Sequence, residues 1–126
     1  MLTIAAIAAC VLLGALTVFQ LALIAGAPLG HLAWGGQHRV LPARLRIGSV
    51  VSVVLYALFA LVILDRAGIV SVIPWDGVVQ VAAWVLFAYF ALGIVVNLAS
   101  RSVPERAIMV PASALLAIAT FFVALG

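Results

Sequence analysis

Four long apolar stretches dominate the chain, and every charged residue falls in the short segments around them. The first runs uncharged from Leu2 to Ala27, the second from Ile47 to Leu64, the third from Val78 to Ala99 and the fourth from Ala107 to Leu125. Helix-start signals carry the second back to Pro42 and the fourth back to Val103. About 20 apolar residues in helical form cross the hydrocarbon core of a bilayer. The pattern therefore predicts an all-α, four-transmembrane-helix bundle. It forms one integral membrane domain over residues 1–126, with spans at about 2–27, 42–64, 78–99 and 103–125.

The first run ends in Ala25-Gly26-Ala27, which resembles a signal-peptidase site. It lacks a basic leader and exceeds the usual length of a signal-peptide apolar region, so it is read as a retained span. At the other helix starts, Ser102-Val103-Pro104-Glu105 has the form of a capping box, with Ser102 as N-cap and Glu105 reaching back. Pro111 falls inside the fourth span, where it removes one backbone donor. Leu41-Pro42-Ala43-Arg44 and Val103-Pro104-Glu105-Arg106 echo each other weakly; two helical hairpins set in parallel would give this, but so would the ordinary preference for Pro and Arg at cytoplasmic helix starts, the simpler reading.

Charge then orients the chain. It has 126 residues, 69% hydrophobic and 7% charged, with six arginines, no lysine and a net charge of +3. So few charges cannot clothe a water-soluble domain. The arginines flank apolar runs rather than forming a basic face, which argues against nucleic acid as a partner. Arg39, Arg44 and Arg46 lie between spans one and two, Arg101 and Arg106 between spans three and four, and only Arg66 on the opposite side. The positive-inside rule places loops 28–46 and 100–106 in the cytoplasm of a multi-pass cell-membrane protein, with both termini and loop 65–77 outside. Trp75 is expected as the outer interfacial anchor and Trp34 as the inner one. The 28–46 loop is expected to lie in the interface, with Trp34 and Leu41 facing the acyl boundary.

Polar residues inside the spans carry the remaining information, because each must find a partner or face water. Span two has Gly48, Ser52, Tyr56 and Ala60 at intervals of four, and span three has Tyr89, Gly93, Asn97 and Arg101 at the same interval. Span one adds Thr17 and Gln20, and span four adds Ser113. At about 1.5 Å per residue, most of these fall in the cytoplasmic half. Two readings compete. In one, Gln20, Ser52, Tyr56, Tyr89, Asn97 and Ser113 line a cytoplasm-facing pocket that binds or transports a small molecule, with Arg39, Arg44, Arg101 and Glu105 at its mouth. In the other, the same side chains are hydrogen-bonding glue between helices. The small stripe Ala6, Cys10 and Gly14 is read as packing. Glu105 is expected to pair with Arg39 or Arg44 and so tie the two basic loops together. Gly35-Gly36 could cradle an anion through backbone N–H groups, with a lipid headgroup as the ordinary candidate.

Other chemistry finds little support. Cys10 is alone, which excludes an intrachain disulfide. His31 and His38 have no companion metal ligands. No Asp, Glu, His or Cys pair shares a depth suited to catalysis, so no catalytic residue, metal or cofactor is expected. No carboxylate stands at mid-membrane, which disfavours a proton-coupled pump. The partners expected are anionic lipid headgroups at the arginines, and either further copies of the chain or another membrane protein. An accessory, scaffold or lipid-binding subunit is the alternative function.

Trp34-Gly35-Gly36-Gln37-His38-Arg39-Val40-Leu41-Pro42, together with Asn97-Leu98-Ala99-Ser100-Arg101-Ser102 and Glu105-Arg106, resembles segments of a group of small four-helix membrane proteins of high-GC bacteria. The resemblance covers most of the chain and implies the four-span fold, without a function to transfer. Small multidrug exporters fit poorly, since their first helix bears a glutamate that is missing here. Dual-topology fluoride channels fit no better, because their Thr-Thr-Phe-Ser-type segment is absent and the arginine asymmetry opposes dual insertion.

Overall fold

A computed structural model describes residues 2–126 and contains four long helices: α1 (Leu2–Ile24), α2 (Ala43–Arg66), α3 (Asp76–Leu98) and α4 (Val103–Leu125). All four are long and apolar enough to cross a membrane, and the described residues include no strand. This is a multi-pass helical bundle. The helices alternate in direction and form a ring. The α1–α2 and α3–α4 hairpins pack most extensively, α1 and α4 join them, and of the neighbouring pairs around the ring α2 and α3 touch least. One end of the bundle carries the 25–42 and 99–102 connections and five of the six arginines; we refer to it as the basic end.

Helix ends follow local chemistry. α1 stops three residues short of the apolar run because Gly26 takes φ +92°, and the Gly26 and Ala27 N–H groups bond back to Leu23 and Ala22. That is a Schellman cap, and Pro28 follows it. Ala25-Gly26-Ala27 thus serves as a helix stop. Gly68 at φ +79° closes α2 in the same way, through bonds from Gly68 to Asp65 and from Ile69 to Leu64. α3 starts at Asp76, two residues earlier than its apolar run, since an acidic residue suits the first turn of a helix. α4 continues through Pro111.

The motif echo does not survive in three dimensions. Pro42 is the N-cap of α2, whereas Pro104 lies within the first turn of α4 behind the N-cap Ser102. Ser102 caps as expected, accepting from the Glu105 N–H at 3.3 Å, but the Glu105 side chain does not reach back.

The core contains Ala6, Ala9, Leu13, Ile63, Leu86, Phe90, Leu116, Ala117 and Val123, all buried. Alanines on α1 and α4 let the backbones approach, which is how helices associate where lipid removes most of the hydrophobic drive. Of the small stripe on α1, Ala6 is buried, Cys10 half-buried and Gly14 exposed with no atom near its face, so packing claims only the first turns of that stripe. Large aliphatic side chains cover the outside. Val11, Val18, Val54, Val81 and Val95 are all more than half exposed, as a lipid-facing surface requires.

The 25–42 connection is compact. It forms two 3₁₀ turns, Gly30–Leu32 and Trp34–Gly36, and the Gly30 N–H closes it on Arg39 O at 2.8 Å. Leu41 does not face the acyl boundary. It is 2% exposed and packs with Leu23 and Ala33 in a small second core, because the turns fold back under the end of α1. Trp34 remains 44% exposed, and its ring lies over Gly48 of α2, where an added methyl would come within 2.9 Å of the indole.

Candidate functional site

A cavity of about 380 Å³ opens in the basic half of the bundle. Its size falls in the lower part of the range for small-molecule sites, about 300–1,000 Å³. Its walls include Leu16, Phe19 and Gln20 of α1, Ser52 and Tyr56 of α2, and Tyr89, Phe90, Gly93 and Asn97 of α3. They also include Met109, Ser113 and Leu116 of α4, and Leu32 to Gly35 close the end beneath. Gln20, Ser52, Tyr56, Tyr89, Asn97 and Ser113, drawn from all four helices, thus meet around one space. Glu105 lines it as well. Arg39, Arg44 and Arg101 do not; all three are exposed beyond its rim.

Several polar side chains are partly spent within the protein. Asn97 Nδ2 donates to Ser113 Oγ at 2.7 Å and, at the long limit, to Met109 O at 3.5 Å. Ser52 donates to Gly48 O at 3.0 Å, the back-bond typical of a helical serine, and Thr17 does the same to Leu13 O at 2.8 Å. These are the contacts that the glue reading requires. Gln20 is a further case: it is 8% exposed, its side-chain amide lies within hydrogen-bonding reach of Tyr56, and its Oε1 is buried.

Phe59, Tyr89 and Phe90 stack across the seam between α2 and α3 at centroid separations of 5.3–5.7 Å, with Tyr56 at 6.3 Å from Phe59. Edge-to-face packing of this sort makes a stiff aromatic wall. Lining residues Tyr89, Leu92 and Val96 are 51%, 62% and 62% exposed. The open side of the cavity therefore runs along α3, at the seam with α2 where the ring of helices is loosest.

Glu105 makes the loop tie, but with a different partner from the one its charge suggested. Its Oε2 accepts from the Gly35 N–H at 3.2 Å, and no arginine pairs with it. Glu105 is turned inward, 6% exposed, while Arg39, Arg44 and Arg101 are exposed. A second tie sits beside the first, from Ser102 Oγ to His31 O at 2.6 Å. Trp34, Gly35 and Gly36 have φ values of +52°, +80° and +74°, and this left-handed run aims the Gly35 N–H at the carboxylate. The anion that the Gly35-Gly36 turn holds is therefore the chain's own glutamate. Arg46 and Arg106 are engaged with the Leu41 and Ser100 carbonyls. His31 contributes its backbone, and among the described residues no three His, Cys, Asp or Glu side chains gather as a metal site would need.

Leu16, Phe19, Phe90 and Met109, which supply the apolar lining, and the Gly35 donor carry no signal in the sequence. Aliphatic residues read alike on either face of a membrane helix, and a backbone N–H leaves no side-chain signature. No family model matches the chain, and neither a curated protein nor a solved structure shows significant similarity to it.

Proposed function

We propose that the chain binds a small molecule in the cavity at the basic end and, as an oligomer, conducts it toward the cytoplasm. One observation carries this reading: six polar side chains scattered over four helices converge on a single open space. A membrane interior tolerates such groups where they serve a pathway or a ligand. Four slender helices leave little volume within one copy, so passage between copies suits the geometry better than passage through one. The five-to-one arginine distribution supports a cytoplasmic basic end, with Arg39, Arg44 and Arg101 free to hold anionic headgroups.

Native mass spectrometry of the protein released from lipid tests the reading. A defined oligomer retaining a reproducible small mass is the expected result. A bare monomer, or a complex with an unrelated membrane protein, would replace it with the accessory-subunit alternative.

A further inference from the structure

The charge and shape of the cavity narrow what it takes. Building on the binding reading above, we propose that its ligand is a small primary ammonium carrying an aromatic or aliphatic body, with the cationic head at Glu105. Glu105 is the one carboxylate or base among the lining residues, and no arginine or histidine joins it there. It is 6% exposed, and within the protein a single backbone N–H on Oε2 satisfies it, leaving Oε1 available to the cavity. A carboxylate so placed favours a cation and penalises an anion, because the surrounding low dielectric strengthens both effects.

Gln20 adds a polar edge to the same wall: its side chain lines the cavity beside Tyr56 and is 92% buried. Around the carboxylate the walls are otherwise aromatic and aliphatic: Phe19, Trp34, Tyr56 and Phe90 offer ring faces and edges to an apolar body. Aromatic faces also attract an ammonium directly. The arginines of the basic end do not oppose this. Arg46 and Arg106 are occupied by backbone carbonyls, and Arg39, Arg44 and Arg101 stand in solvent, where salt screens them within about 8 Å.

Three probes of one shape separate the possibilities. Tryptamine carries the ammonium and an indole N–H, tryptophol is its neutral alcohol, and indole-3-propionate is an anion of similar size. Each is titrated by equilibrium dialysis against the purified chain in detergent, beside the Glu105→Gln variant. Glutamine at 105 still accepts from Gly35, so the loop tie survives, and circular dichroism checks the fold. Tryptamine should bind saturably, at least tenfold tighter than tryptophol. Glu105→Gln should remove that advantage and leave tryptophol unchanged. Tryptophol or indole-3-propionate binding as well as tryptamine, with Glu105→Gln silent, would overturn the ammonium assignment and keep the cavity as a binding site. Saturable binding by none of the three would overturn the assignment too. In that case a native mass spectrum without a retained small mass would bring down the binding reading as well.

Discussion

The bond between Asn97 and Ser113 offers the sharpest division between a ligand cavity and helix glue. Asn97 Nδ2 lies 2.7 Å from Ser113 Oγ, joining α3 to α4, and its second contact, to Met109 O, is 3.5 Å. Interhelical hydrogen bonds in a membrane bundle average about 0.6 kcal/mol and reach about 1.7 kcal/mol. The short bond belongs near the upper end, about 1–1.5 kcal/mol, and the long one adds little. A double-mutant cycle of Asn97→Ala and Ser113→Ala should then yield a coupling of about 1 kcal/mol. Phe90 provides the yardstick. It is 5% exposed in the aromatic seam, and truncation of a buried phenylalanine costs about 3–5 kcal/mol. Unfolding by titration with sodium dodecyl sulfate in mixed micelles measures all four variants on one scale. Asn97→Ala should cost well under half of Phe90→Ala while weakening the small mass retained in native spectra about tenfold, the loss expected from one bond of about 1.4 kcal/mol. If Asn97→Ala destabilised the bundle as much as Phe90→Ala, or left the retained mass unchanged, the polar cluster would be structural and the cavity incidental.

Three further outcomes follow from contacts at the two ends of the bundle. Ser102→Ala deletes both the α4 N-cap and the bond to His31 O, so it should cost about 1–2 kcal/mol and speed proteolysis of the 25–42 connection. A methyl at Gly30 would overlap the His38 carbonyl oxygen and stand 2.8 Å from Arg39 O. Gly30→Ala should therefore destabilise the chain by about 1–3 kcal/mol, and unchanged thermal unfolding would refute that overlap. At the opposite end, Asp65 Oδ2 accepts from the Val72 and Ile73 N–H groups at 2.8 and 2.7 Å, so Asp65→Ala should raise amide exchange at those two residues and leave α3 unaffected.

The spans were legible because membrane hydropathy depends on length and composition, not on packing. The same property hid the inner faces. Leu13 is 2% exposed and Val18 is 67% exposed, yet both are aliphatic residues of the same helix. Only polar residues break that uniformity, which is why Gln20, Tyr56, Asn97 and Ser113 could be picked out while Phe19 and Phe90 could not. Glu105 was recognisable as a tie but not its partner, since charge pairing is the visible signal and a backbone donor is not. Leu41 is ambiguous in sequence for a related reason. An apolar residue in a loop between two spans suits either the acyl boundary or a small core, and the turn at Gly30 to Gly36 decides for the core.

The two ends of the cavity are built to different standards, and this bears on how a ligand enters. At the basic end, Glu105 and Ser102 of α4 hold the 31–35 backbone by two hydrogen bonds, and Trp34 leans across to Gly48 of α2. Opening that end breaks both bonds and moves a residue out of the left-handed conformation at Trp34. Such a conformation is uncommon for a bulky side chain and persists only where neighbours enforce it. The α2–α3 seam needs no such rearrangement along α3, where Tyr89, Leu92 and Val96 border the cavity and remain more than half exposed. On the binding reading, a molecule with an apolar body would enter from the lipid side at this seam, its polar head directed to Glu105, and release at the basic end would depend on the Glu105–Gly35 bond. A cation that drew the carboxylate toward itself would compete with the Gly35 N–H for that charge, so occupancy would loosen the tie that closes that end.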